Sequence, residues 1–308
     1  MLATPSFHHL HLNSVDPDAA IDFYTAQFTT TARTTWGGVP ALASPNNVLI
    51  LFNRVATPPP TSPQSAIWHF GWHATDARAS LESYRTRAGL NLLPLYTGDG
   101  DQSVFISSDT WPGIGGVLGL TAPQIAGARA AGVEPTRNGG FAYMVGPDNA
   151  IVEYAGNHPT ERFNHVHMYQ EHPLCAELWY RHHLDASPLP NRAPSALNDA
   201  TCQVPRGPDR TFPALEQEGM FRTPSGGVAF GDVWLPWYMR QEDEPLASPR
   251  GQLYDHFALS VSNLNAWVEK LRSEHVTIAE EPHRLGDTRA AMITGPSQEA
   301  IELVEIPE

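Results

Sequence analysis

Imidazole and carboxylate side chains recur at fixed places along this chain, and together they have the chemistry to hold a divalent metal. Four segments open on histidine: His9-Leu-His-Leu-Asn-Ser-Val-Asp16, His69-Phe-Gly-Trp-His-Ala-Thr-Asp76, His165-Val-His-Met-Tyr-Gln-Glu-His172 and His256-Phe-Ala-Leu-Ser-Val-Ser-Asn263. In each, the leading histidine stands seven positions before the residue expected to open a helix. Two other segments end on a glutamate set in an apolar run, Gly146-Pro-Asp-Asn-Ala-Ile-Val-Glu153-Tyr and Gly295-Pro-Ser-Gln-Glu-Ala-Ile-Glu302-Leu. Burying a carboxylate is costly unless it meets a cation or donors. A metal shared with two histidines would supply that partner. A single histidine on a half-buried strand is ordinarily a hydrogen-bonded core or surface residue, and with fourteen in the chain accidental pairs are common. Recurrence at one position of four segments is what sets these apart.

Strand alternation places residues i and i+2 on one face. His9, His11 and Asn13 therefore share a face, with Leu10 and Leu12 on the other. The same rule groups His69 with Gly71 and His73, His165 with His167 and Tyr169, and His256 with Ala258 and Ser260. The apolar faces should meet helices, leaving the histidine faces to line a cavity. A helical stretch follows each strand: Pro17 to Phe28, then the runs after Asp76, His172 and Asn263. Asp16, Asp76 and Asn263 are suited to N-caps, whereas His172 is a poor one. The last helix shows its apolar face at Leu264, Trp267, Val268 and Leu271. Short β-type runs come next, for example 47–52 and 141–145.

One strand, one helix and several strands make a unit met four times, which predicts an α+β fold of four βαβββ modules. Two insertions interrupt it. The second unit carries an extra helix expected over Thr121 to Gly132, and the third a Pro-rich surface loop or lid over Ser187 to Pro213. Pairing units in chain order gives two domains, 1–158 and 159–308, divided near His158-Pro159, with Pro58-Pro59-Pro60 as the linker inside the first pair. The 308 residues have room for two domains of about 150 residues each.

Composition narrows the function. No stretch approaches the roughly 18 apolar residues of a membrane span, and the start of the chain does not read as a signal peptide, which makes a cytoplasmic location the expectation. Nineteen Lys and Arg against thirty-three Asp and Glu give a formal charge of −14, which argues against nucleic acid and for a small-molecule substrate. Two cysteines, Cys175 and Cys202, exclude a thiolate cluster and leave a single disulfide open.

With these repeats, the chain resembles the vicinal-oxygen-chelate superfamily, which contains glyoxalase, bleomycin-resistance and extradiol dioxygenase proteins. The resemblance covers essentially the whole chain outside the insertions. It implies paired modules forming cupped mixed sheets, each cup holding a metal through the first strand of each module and the last strand of the second. Carried over residue by residue, it implies metal sites at His9, His69 and Glu153 and at His165, His256 and Glu302. Two histidines and one carboxylate suit Fe2+ or Mn2+, with Zn2+ or Ni2+ as alternatives, and monomer and homodimer both stay open.

Reaction class is read through what is missing. Glyoxalase-like members add a fourth ligand, often Glu, from the last strand of the first module. Leu51 occupies that place here, and the region 231–236 of the third unit shows no carboxylate in register. Two histidines and one carboxylate with open positions suit a bidentate substrate and dioxygen, which points to an extradiol-type dioxygenase. Tyr143 would hydrogen-bond the bound oxygen, and His11 or His73 would move protons; Met292 replaces the tyrosine in the other half, with His283 upstream. A glyoxalase-like isomerase or lyase, and a non-catalytic protein that sequesters a drug or metabolite, are the alternative readings.

Overall fold

In the computed structural model, residues 2–98, 103–111, 120–134, 140–190 and 198–306 are described. Residues 191–197 of the expected Pro-rich loop, and 112–119 ahead of the expected extra helix, lie outside the described residues.

The first unit comprises β1 (Ser6–Ser14), α1 (Pro17–Gln27), β2 (Ala32–Trp36), β3 (Val39–Ala43) and β4 (Leu49–Arg54). The second comprises β5 (Ile67–His73), α2 (Ala77–Arg85), β6 (Asn91–Leu93), the short pair β7 (Leu95–Tyr96) and β8 (Ser103–Val104), α3 (Ala122–Ala130), β9 (Phe141–Val145) and β10 (Ile151–Ala155). The third holds β11 (Arg162–Gln170), α4 (Pro173–Leu184), β12 (Ser187–Pro188), β13 (Ser225–Phe230) and β14 (Val233–Met239). The fourth holds β15 (Tyr254–Val261), α5 (Leu264–Ser273), β16 (Ile278–Leu285), β17 (Thr288–Thr294) and β18 (Ala300–Glu305).

The helices start where the caps predict. Asp16 accepts from the amide of Ala19, Asp76 from those of Arg78 and Ala79, and Asn263 from that of Ala266. His172 makes no side-chain cap, but Pro173 at the first turn has no N–H to satisfy. The extra helix α3 falls inside the expected span. Leu264, Trp267, Val268 and Leu271 are the buried face of α5.

The units pair differently from chain order. One eight-stranded sheet runs β16-β17-β18-β15-β1-β4-β3-β2, joining units four and one; the other runs β12-β13-β14-β11-β5-β10-β9-β6, joining units three and two. The boundary expected near residue 158 therefore separates no sheets. Only residues 156–161 connect β10 to β11, and β5 is the strand between them. That short link keeps the third unit beside the second, and leaves the edge of β1 for β15. Phe7 and Phe257 of one sheet and Phe70 and Phe163 of the other stack in one shared core, with Phe7 and Phe163 in direct ring contact. The histidine faces lie on the opposite sides of these strands.

The Pro-rich insertion is partly packed down rather than a free surface loop. Thr211 pairs with Met220, and Phe212 and Ala214 bridge to Leu120 and Tyr96 of the second unit. Cys175 and Cys202 form a disulfide that ties α4 to this segment. Among the described residues, no helix is long and apolar enough to cross a membrane.

Candidate metal centres

Strand register brings the repeated histidines together. On the first sheet β1 runs antiparallel to β15, setting His11 opposite His256 and His9 opposite Ala258, while parallel β18 sets Glu302 beside Ala258. On the second, β5 runs antiparallel to β11, setting His69 opposite His167 and His165 opposite Gly71, and parallel β10 sets Glu153 beside Gly71. All six expected ligands thus sit in two clusters, but regrouped. His9, His256 and Glu302 form the first; His69, His165 and Glu153 form the second. The sets read from chain order fail because His9 lies in a different sheet from His69 and Glu153, and His165 in a different sheet from His256 and Glu302.

In the second centre, Glu153 reaches both imidazoles, with Oε2 3.3 Å from His69 Nε2 and Oε1 3.8 Å from His165 Nε2. These three side chains each offer a ligand atom within 4.8 Å of the others. Tyr143, opposite Glu153 on β9, donates from its hydroxyl to Glu153 Oε2 at 2.7 Å. Burial first, and then the Glu153 carboxylate, push the Tyr143 phenol well above its ordinary range. Burial pulls His69 and His165 down to about 3, so both rings are neutral at physiological pH. His69 is fully buried, yet neither of its ring nitrogens has a hydrogen-bond partner. A cavity of about 230 Å³ opens on this centre, lined among others by His73, Tyr143, His167, Arg222, Trp234 and Tyr238.

In the first centre, Glu302 Oε2 lies 3.4 Å from His9 Nε2 and 3.8 Å from His256 Nε2. His9, His11 and His256 bring ring nitrogens within 4.8 Å of one another, so a third imidazole joins this cluster. His9 Nε2 is buried without a hydrogen bond. Burial, with His256 next, holds His9 well below the usual imidazole range and His11 at about 3. Burial would lower His256 too, but hydrogen bonds to Asp255 and Glu302 outweigh it and raise its pKa. This cavity measures about 250 Å³ and is lined by Leu51, Trp36, Arg250, Glu280 and Met292 as well as the histidines.

A β-bulge precedes every leading histidine. Register slips by one residue at His8, at Asp255, at Asn164 and at Trp68, each directly before His9, His256, His165 and His69. Bulges bend a strand and re-aim its side chains. Here three of the four bulged residues take hold of the next residue's Nδ1: His8 at 2.8 Å, Asp255 at 2.7 Å and Asn164 at 3.0 Å. Such a partner fixes the ring and turns Nε2 toward the carboxylate, the usual outer contact of a metal-ligating histidine. Trp68 cannot accept a hydrogen bond, which is why His69 Nδ1 is left bare.

The residues proposed for proton transfer divide between the centres. His11 lies in the first, its ring 4.5 Å from that of His256. His73 lines the second cavity and stacks flat on His158 at 3.2 Å between centroids; burial, then His158, lower it to about 3. His283 is exposed and does not line the first cavity. Sequence reasoning missed Asp255, Asn164, Arg250 and Arg222. The first two each stand immediately before a leading histidine, but nothing marks them as bulged until the strands are paired; the arginines carried no signal. A further group, His182, His183 and Glu274, lies near the surface. There Lys270 Nζ already sits 2.9 Å from Glu274 Oε2, where a second cation would be repelled.

Residues 162–303 match the Glyoxalase/Bleomycin resistance protein/Dioxygenase superfamily. The chain carries a domain of this superfamily. That glyoxalase/dioxygenase match spans units three and four, neighbours in sequence that lie in different sheets. Among solved structures, glyoxalase I from Zea mays is 14% identical, with 98% of this chain and 92% of that one covered and a TM-score of 0.62. A putative dioxygenase from Bacillus subtilis subsp. subtilis str. 168 is 10% identical, with 100% and 87% covered and a TM-score of 0.58. At such identities the likeness is one of fold, and here the glyoxalase/dioxygenase fold extends over all four units. By sequence, no curated protein matches the chain.

Proposed function

We propose that this protein is a metal-dependent enzyme of dioxygenase type, acting on a small molecule through two adjacent oxygens at the second centre. The supporting observation is the His69, His165 and Glu153 cluster, with its ligand atoms mutually within 4.8 Å beside a cavity of about 230 Å³. The donor set fits a divalent ion. Buried imidazole nitrogens without hydrogen bonds face a carboxylate too distant for a good one, and the unpartnered nitrogens of His69 would otherwise be a cost without return. Fe2+ or Mn2+ held there would supply Lewis acidity and open positions for two substrate oxygens and dioxygen. Pro236, on the strand beside β11, lines the cavity where a fourth carboxylate would have closed one of those positions.

The chain's own groups have distinct tasks. Tyr143 holds Glu153 Oε2 through its hydroxyl proton and fixes the carboxylate that His69 and His165 face. His165 is oriented by Asn164 through Nδ1. His73, neutral and at the cavity wall, is placed to accept a proton from bound substrate. Trp68, Trp234 and Tyr238 line the cavity with aromatic surface that limits water at the reacting atoms. Every ligand of each centre comes from one chain, so a second copy is not needed to complete either.

A second reading follows from the first centre. His9, His11, His256 and Glu302 there give four donors, a closed set closer to that of a glyoxalase-like isomerase or a structural ion. Metal content separates the two. Elemental analysis of anaerobically purified wild type, Glu153→Ala and Glu302→Ala should find iron or manganese that Glu153→Ala alone abolishes from the active pool. Zinc or nickel whose loss with Glu302→Ala abolishes turnover would favour the isomerase. A wild-type protein that takes up no stoichiometric metal after reconstitution would sink both.

A further inference from the structure

The second cavity contains a cation without a counterion. Arg222 lies between the Pro-rich insertion and β13, is only 9% exposed, and lines the cavity beside Tyr143, His167 and Tyr238. Its Nη2 donates to the carbonyl of Pro213, and its Cζ lies 5.7 Å from the centre of the Tyr238 ring. Its Nε and Nη1 are shielded from solvent and have no acceptor. Among the described residues no carboxylate lies within ion-pair distance of it. Buried arginines are ordinarily paired, because removing a guanidinium from water is costly without an anion to face. The arginine at the first cavity is exposed and already has partners: Arg250 lies 2.8 Å from Asp255 and 3.1 Å from Glu280.

We propose that the substrate of the second centre carries a carboxylate that pairs with Arg222 while its two adjacent oxygens face the His69, His165 and Glu153 cluster. This inference rests on the metal-dependent reading of that centre. A carboxylate suits the site better than a phosphate. Arg222 is the only Lys or Arg among the described residues lining the cavity, so one negative charge is what it can match. The cavity is also small, below the about 300–1,000 Å³ typical of ligand pockets. The Pro-rich insertion thus holds the arginine in place through the Pro213 carbonyl.

The test compares two ortho-diphenols that differ by one carboxylate, catechol and 3,4-dihydroxybenzoate. Each is titrated anaerobically into Co(II)-loaded Glu302→Ala protein, which leaves the second centre intact, and binding is followed by visible absorption. The carboxylate-bearing probe should bind at least about tenfold tighter, as expected of a charge-assisted hydrogen bond. Adding Arg222→Gln should bring the two probes to parity, and Arg222→Lys should restore part of the preference. Equal affinity for both probes with Arg222 present overturns the inference without needing any variant at 222 to fold, and so does a preference that survives Arg222→Gln. If the protein takes up no metal, the metal reading fails separately. In that case thermal stabilisation of the metal-free protein by benzoate, abolished by Arg222→Gln, still supports the arginine as a carboxylate site, and its absence overturns it.

Discussion

The two centres share a backbone and differ in the residues one step away from their ligands. Both sit on a pair of antiparallel strands bulged at the same places, with a glutamate on the neighbouring parallel strand. Around the first, a carboxylate holds His256, a third imidazole joins the cluster, and the nearby arginine is already paired. Around the second, an amide holds His165, His69 has a bare Nδ1, a tyrosine braces the glutamate, and the nearby arginine is unpaired. Under the proposed reading the first would retain an ion, and the second would retain an ion and admit a ligand. Duplicated modules can keep one backbone geometry while an added imidazole and the outer contacts set the two apart.

The sharpest way to break this comparison is at Gly71 and its counterpart Ala258, which face His165 and His9 across the strands. A Cβ added to Gly71 would fall 1.8 Å from His165 Cε1, because that ring occupies the space. Gly71→Ala should therefore expel His165, abolish metal uptake at the second centre, and cost about 1–3 kcal/mol of stability from overpacking. Ala258→Gly should leave the first centre's metal in place, with a cost of about 0.5–1 kcal/mol in backbone entropy. Metal analysis and thermal unfolding of both variants check this; metal retained at the second centre in Gly71→Ala would show that His165 is not a ligand.

Next in size is the outer contact of His256. Replacing Asp255 with Asn should weaken metal binding at the first centre by about 10–100-fold, measured by competition with a chelator, and leave the second unchanged. Tyr143→Phe should act at the second centre alone. Losing one hydrogen bond to a carboxylate should weaken metal retention or turnover about tenfold, without altering the first centre's metal content.

The smallest effect is in pH. A histidine must be neutral to bind metal, so each ligand that carries a proton releases it on binding. His69 and His165 titrate at about 3 and bind unimpeded throughout the neutral range. His256 is raised above the ordinary imidazole value and competes with protons at higher pH. Lowering the pH should therefore empty the first centre before the second. Equal pH profiles for the two, read in the Glu153→Ala and Glu302→Ala backgrounds, would count against the assignment of His256 as a ligand.

Much of this was readable from the chain. Period-two alternation marked the histidine strands, Asp16, Asp76 and Asn263 marked the helix starts, and a glutamate inside an apolar run marked the two ends of the metal clusters. Which unit pairs with which was not readable. Chain order suggests neighbours, whereas the choice depends on which edge β1 and β5 offer and on a six-residue link that holds β11 beside β5. That single unknown split both expected ligand sets between the sheets, although all six residues fall in one cluster or the other. The bulges escaped for a related reason: a slip of one residue exists only between two paired strands, so Asp255 and Asn164 have no signature until the partner strand is known. Arg222 lies just before β13, outside any repeat or period, and only tertiary packing places it.

The crossed pairing also sets an order of events during synthesis. The sheet of units two and three can close once β14 has emerged, but β1, made first, has no partner for its outer edge until β15 appears some 240 residues later. Closing so long a loop is slow, and an unpaired strand edge is open to pairing with another chain in the meantime. The nascent protein should therefore pass through a stage in which the second centre is built and the first is still an exposed half-site, which makes the first sheet the place where misassembly would begin.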